Sequence, residues 1–136
     1  MAPKMPQSLA ACSIEEARAI LAQIQDMLPV VSVFFELGRD QGAGAGPGLR
    51  AFSLPDLQRH AKLRAPEQVV QCLDVINQVL GALRQDPKAQ LSVLDPQGRC
   101  FVADATSHAI LALWHDIVAS RALEPIGQGG SAMEPA

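Results

Sequence analysis

The chain has 136 residues, with 11 Lys plus Arg against 14 Asp plus Glu and a formal net charge of −3. Apolar residues make up 49% and charged residues 18%, which excludes a disordered chain and predicts one domain with an aliphatic core. A domain of this size buries roughly 68% of its unfolded surface without a metal or disulfide staple, and no cofactor is expected.

No apolar run reaches the about 18 residues of a transmembrane helix; Met27 to Phe35 is too short and holds Pro29 and Ser32. Leu9-Ala10-Ala11-Cys12 has the shape of a lipoprotein cleavage site, but Met1 to Ser8 contain two prolines, Lys4 and Gln7 and offer no apolar segment before it. Cys12, Cys72 and Cys100 lie far apart without C-x-x-C spacing. They read as two core thiols and one thiol in a tail, in keeping with a reducing cytoplasm. Residues 48–104 carry seven basic and six acidic groups, the only segment with a positive balance, so there is no basic arm of the kind that grips nucleic acid.

In chain order, residues 1–12 and 124–136 read as disordered tails around a single domain over 13–123. Ser13, with Glu16 three residues later, forms a capping box that opens the first helix. Ala17, Ile20, Leu21, Ile24, Met27 and Leu28 then recur at helical spacing. Pro29 ends or kinks that run. Val30 to Leu37 continues it as a buried strand or a second helical piece, the helix being preferred because Asp26 to Leu28 offers no turn residues. This 14–37 unit is apolar enough to need a core or a dimer interface. Residues 41–48 read as a glycine-rich linker.

Leu49 to Phe52 is a short strand. Ser53 caps the next helix, with Pro55 and Asp56 in its first turn, and Pro66 ends it near Arg64. Pro66 opens a third helix in which Val69, Leu73, Ile76, Leu80 and Leu83 form an apolar face about 28 Å long. A hairpin follows over 89–103, turning at Asp95-Pro96-Gln97-Gly98, with Leu91 and Val93 on one face of its first strand and Cys100 and Val102 on one face of its second. Asp104 or Thr106 caps a last helix to Leu123, its buried stripe being Ile110, Leu113, Trp114, Ile117 and Val118.

Catalytic or metal-binding motifs do not emerge. The glycine cluster would need glycine at Pro47 or Leu49 to make G-x-G-x-x-G, and no Gly-Lys-Ser/Thr follows. His108 and His115 are two helical turns apart, about 10 Å along the axis, too far for one metal. His60, between Arg59 and Lys62, reads as a surface histidine. No residue is assigned as catalytic, and the expectation is a non-enzymatic protein.

The order of elements does carry information. Leu49 to Phe52 as a small strand, Ser53 to Ala61 as a supporting helix, Pro66 to Leu83 as a recognition helix and Gln90 to Asp104 as a wing resemble the winged-helix family of bacterial transcriptional regulators. The resemblance covers about 55 of the 136 residues. It implies a mainly α, winged-helix-like single domain with one β-hairpin and flanking helices, acting as a DNA-binding regulator. On that resemblance Arg64, Glu67, Gln68, Gln71 and Asn77 face base edges in duplex DNA, and Arg59, Lys62, Arg64 and Arg99 reach phosphates. Helices 14–37 and 105–123 make a homodimer, with Val33, Phe35 and Trp114 at the interface. The alternative is a protein-interaction module, such as an adaptor, chaperone, inhibitor or antitoxin-like partner. The acidic balance, the near absence of basic residues on the third helix and the apolar Val30 to Leu37 favour it.

Overall fold

The computed structural model of the chain describes residues 9–39, 43–44 and 48–123. The tail readings at 1–8 and 124–136, and the linker reading at 41, 42 and 45–47, lie outside the described residues.

Ser13 caps α1 (Ile14–Ile24) as its sequence predicts: its Oγ accepts from the Glu16 N–H at 3.1 Å, and the Glu16 carboxylate accepts from the Ser13 N–H at 3.3 Å. The helix stops before Pro29, which has no N–H to continue the ladder. The chain turns at residues 25–27 and restarts as α2 (Leu28–Glu36) with Pro29 in the first turn, where the missing donor costs nothing. The 14–37 unit is therefore two helices. Val30, Val33, Phe34 and Leu37 point into the core.

The two-residue β1 (Ala43–Gly44) pairs with β2 (Leu49–Ser53). Ser53 then caps α3 (Leu54–His60), its Oγ accepting from the Asp56 N–H at 3.1 Å. Lys62 takes the left-handed conformation (φ 60°) in the turn to α4 (Pro66–Arg84). Val69, Leu73, Ile76 and Leu80 of α4 are buried, whereas Leu83 is exposed.

β3 (Ser92–Leu94) and β4 (Arg99–Ala103) form the hairpin. Gly98 supplies the positive φ (81°) that closes its turn, and its N–H donates to the Asp95 carbonyl at 3.2 Å. The antiparallel sheet has the order β1-β2-β4-β3. Its register sets Cys100 between Phe52 and Leu94, and Val102 opposite Ser92. Because side chains alternate across a strand, Val93 shares the opposite face with Phe101 rather than the Cys100 and Val102 face. Finally α5 (Asp104–Leu123) runs back across α1 and α2. The result is mainly helical, with the core packed between the helices and one face of the small sheet.

Residues 9–12 are not tail. Leu9 bridges Gln90, and the Ala10 N–H donates to the Gln90 carbonyl at 2.8 Å. The Thr106 hydroxyl donates to the Ala10 carbonyl at 3.1 Å and accepts from the Cys12 N–H at 2.9 Å. Leu9, Ala10 and Cys12 are buried, so this segment is stitched to the hairpin and to α5.

The α5 stripe also differs from expectation. Ile110 and Leu113 are fully buried and Ile117 is half-buried, but Trp114 and Val118 each keep 46% of their surface exposed.

Candidate functional site

Two of the cations assigned to nucleic acid, Arg59 and Arg99, are held in ion pairs within the chain. Arg59 is tied to Asp56 at 2.6 Å. Arg99 is held by the Asp95 carboxylate at 2.8 Å, and its guanidinium lies 5.2 Å from the centre of the Phe101 ring. The Arg99 N–H, then its guanidinium, hold the Asp95 carboxyl below the usual range. Arg99 sits opposite Ser53, at the start of α3, while Lys62 and Arg64 follow its end. The cations are thus divided between the two ends of a seven-residue helix.

Two of the base-reading candidates have other work. The Gln68 carbonyl oxygen accepts from the Arg64 and Ala65 N–H groups at 2.6 and 3.2 Å, closing the start of α4. Asn77 clamps β3 to α4: its Oδ1 accepts from the Leu91 and Ser92 N–H groups at 2.8 and 3.1 Å, and its Nδ2 donates to the Ser92 carbonyl at 3.1 Å. Gln71 and Glu67 are exposed, alongside Asp74 and Gln78, which bond to each other. Arg84 at the end of α4 is drawn to Glu16, with contacts of 2.8 and 2.9 Å. The solvent face of α4 therefore carries uncompensated negative charge, which opposes the phosphate contacts that supply most non-specific affinity for DNA.

A different surface stands out on α2 and α5. The α2 helix is apolar nearly all round, so its core face cannot take up every side chain. Val33, assigned to an interface, is fully buried. At spacings of three and four residues, Leu28, Val31 and Phe35 follow the edge of that face: Val31 and Phe35 are half-buried against the core, and Leu28 keeps 73% of its surface exposed. Phe35 meets Trp114 edge to face, with ring centres 5.2 Å apart. The two helices run antiparallel: Gly38 abuts Ile110 and Leu111, Phe35 abuts Trp114, and Leu28 shares a cavity with Val118.

Together with Leu21 of α1 they line an open cavity of about 600 Å³. A second, of about 450 Å³, adjoins it at Gly38, Arg39, Leu111 and His115. Glu36 closes the shared rim, buried and gripped by Arg39 at 2.9 Å, with the His60 Nδ1 3.4 Å away. Phe35 and Trp114, expected from the sequence at an interface, line both cavities. Leu28, Ile117 and Val118, which line the larger one, were not singled out, because helical spacing groups apolar residues without saying which group finds a partner inside the chain.

The thiols are not placed for chemistry. Cys12, Cys72 and Cys100 are buried and unpaired with one another. Burial pushes Cys100 up to about 12 and raises the other two, so none is a ready thiolate. Among the described residues no three His, Cys, Asp or Glu side chains stand close enough to hold a metal ion, and no helix is long and apolar enough to cross a membrane. No family profile, curated protein or solved structure matches the chain.

Proposed function

We propose that this chain is a non-enzymatic protein-interaction module that grips another protein chain with the α2–α5 face. The observation that carries the reading is the exposed apolar surface of Leu28, Trp114 and Val118, continued into the cavity by the half-buried Val31 and Phe35 and rimmed by polar side chains. Exposed, contiguous apolar surface of this kind marks an interaction site, and aromatic anchors beside a groove are where binding energy concentrates. The surface is presented by helices fixed to the core, so little ordering entropy is lost on binding. The test is capture from host lysate by the wild-type chain and by Leu28→Asp. A protein retained by the first and lost by the second supports the module; identical recoveries refute it.

A second reading, a winged-helix-like DNA-binding regulator, is favoured by the topology. A short strand precedes α3 and α4, and the β3–β4 hairpin returns to pair with it in the order β2-β4-β3. Lys62 and Arg64 are exposed and have no ion pair among the described residues. The acidic face of α4 ranks this reading below the first. On it, Arg99→Ala weakens binding alike on all DNA sequences and lowers the salt slope by about one.

A further inference from the structure

We infer that residues 9–12 are a releasable strap. They open from the domain as a local unit, uncovering the Gln90 carbonyl and the Thr106 hydroxyl, while the helices and the sheet stay folded.

The strap is held by isolated bonds to three separate places. The Ala10 N–H donates to the Gln90 carbonyl at 2.8 Å, just ahead of β3. The Thr106 hydroxyl of α5 donates to the Ala10 carbonyl at 3.1 Å and accepts from the Cys12 N–H at 2.9 Å. The Arg84 guanidinium at the end of α4 donates to the Ala11 carbonyl at 3.1 Å. The pairing of Leu9 with Gln90 is a single bridge and not a ladder, so no cooperative run of strand bonds anchors the segment. Each of these bonds exchanges for one to water when the strap lifts, which keeps its net worth small.

Little apolar area backs those bonds. Ala10 and Cys12 are what the strap adds to the main core, a methyl and a thiol; Leu9 is buried outside that cluster and Ala11 is exposed. Backbone entropy is lost residue by residue whatever the side chain, whereas the hydrophobic return grows with the area buried. The strap is therefore held less firmly than α1, which buries Ala17, Ile20 and Ile24.

Opening also has a natural stop. Ser13 and Glu16 close the start of α1 with their own capping box, and the Arg84 contacts with Glu16 at 2.8 and 2.9 Å do not involve the strap. The groups left behind, a carbonyl, a hydroxyl and a guanidinium, all take water as a partner. Segments of this kind open below the free energy of global unfolding. With the strap closed, Ala10 links the base of the hairpin to α5; with it open that link is gone, and Cys12, buried in the closed form, meets solvent.

Alkylation of the purified full chain by iodoacetamide at about pH 8, with each cysteine read by peptide mass spectrometry, tests the inference. Cys12 is expected to label about 100-fold or more faster than the fully buried Cys100, at a rate that changes little with urea below the unfolding transition. Cys100 is expected to follow the steep urea dependence of global unfolding. Thr106→Val keeps the shape of the side chain and removes two strap bonds, so it should raise the ratio of Cys12 to Cys100 labelling by about tenfold. Arg84→Gln, on an exposed side chain, should raise that ratio by about threefold. Circular dichroism confirms that each variant is folded. Equal labelling of Cys12 and Cys100 with the same urea dependence overturns the strap as a local unit, as does a ratio that neither variant moves.

Discussion

Replacing Gly38 with alanine adds one methyl group at the point where α2 hands over to α5, and two effects of opposite sign compete. In the unfolded chain alanine has less freedom than glycine, which favours folding by about 0.4–1 kcal/mol where the native backbone accepts it. Gly38 is not among the described residues with positive φ, so that gain is available. Against it, the new Cβ would lie 2.7 Å from the Ile110 Cγ2 and 2.9 Å from the Leu111 backbone nitrogen. A side chain can rotate aside, but a helix backbone cannot, so α5 must move. Overpacking of this kind costs about 1–3 kcal/mol, and a backbone obstruction belongs at the upper end. The clash outweighs the entropy gain, leaving a net loss of about 2 kcal/mol. In a domain of this size that lowers Tm by about 6–10 °C. Urea denaturation with a second probe is the assay, and a variant as stable as the parent, or more so, refutes the close approach of α2 and α5. The same contact forms the floor of the second cavity, so the substitution should also weaken whatever binds there.

Further outcomes follow from other contacts. Asn77→Ala leaves the Leu91 and Ser92 N–H groups without their described acceptor and should cost about 2–3 kcal/mol in urea denaturation; a loss under about 0.5 kcal/mol would remove the clamp. The Arg84 guanidinium, chiefly by hydrogen bonding, holds the Glu16 carboxyl below its ordinary value of 4.5. A depressed folded value stabilises the fold above about pH 4.5 and stops doing so as pH falls through it, so the deficit of Glu16→Gln relative to wild type should shrink between about pH 6 and pH 3. A deficit that is constant with pH would contradict the pair. Cys100, buried with its thiol at about 12, should resist alkylation in the native protein at about pH 8 and react on unfolding. Fast native labelling would show that the β2–β4 face is open.

Local chemistry was legible. Ser13 with Glu16, Ser53, and Asp95-Pro96-Gln97-Gly98 each act within four residues of themselves, and each makes the cap or turn that its type favours. What needed the fold were contacts between distant parts of the chain. Nothing near Cys12 says that its N–H will meet Thr106, 94 residues away, so residues 9–12 read as tail. Gln68 and Asn77 show the same gap for polar side chains. An amide on a helix suits an adenine edge, a helix start or a strand edge equally well, and only the neighbours decide. Within α2, Val33 and Phe35 are both apolar and two positions apart, yet a helix turns about 200° between them, so one fills the core and the other lines the groove. Trp114 and Val118 were read as buried for the related reason that α5 carries more apolar surface than its contacts inside the chain cover.

A photo-crosslinking residue placed at position 28 in living cells, beside the same residue at position 74 on α4, asks directly which surface meets another molecule. A discrete protein adduct from position 28, with none from position 74, is the expected result. Adducts to DNA from position 74, with position 28 silent, would contradict the assignment of the α2–α5 face and make α4 the working surface.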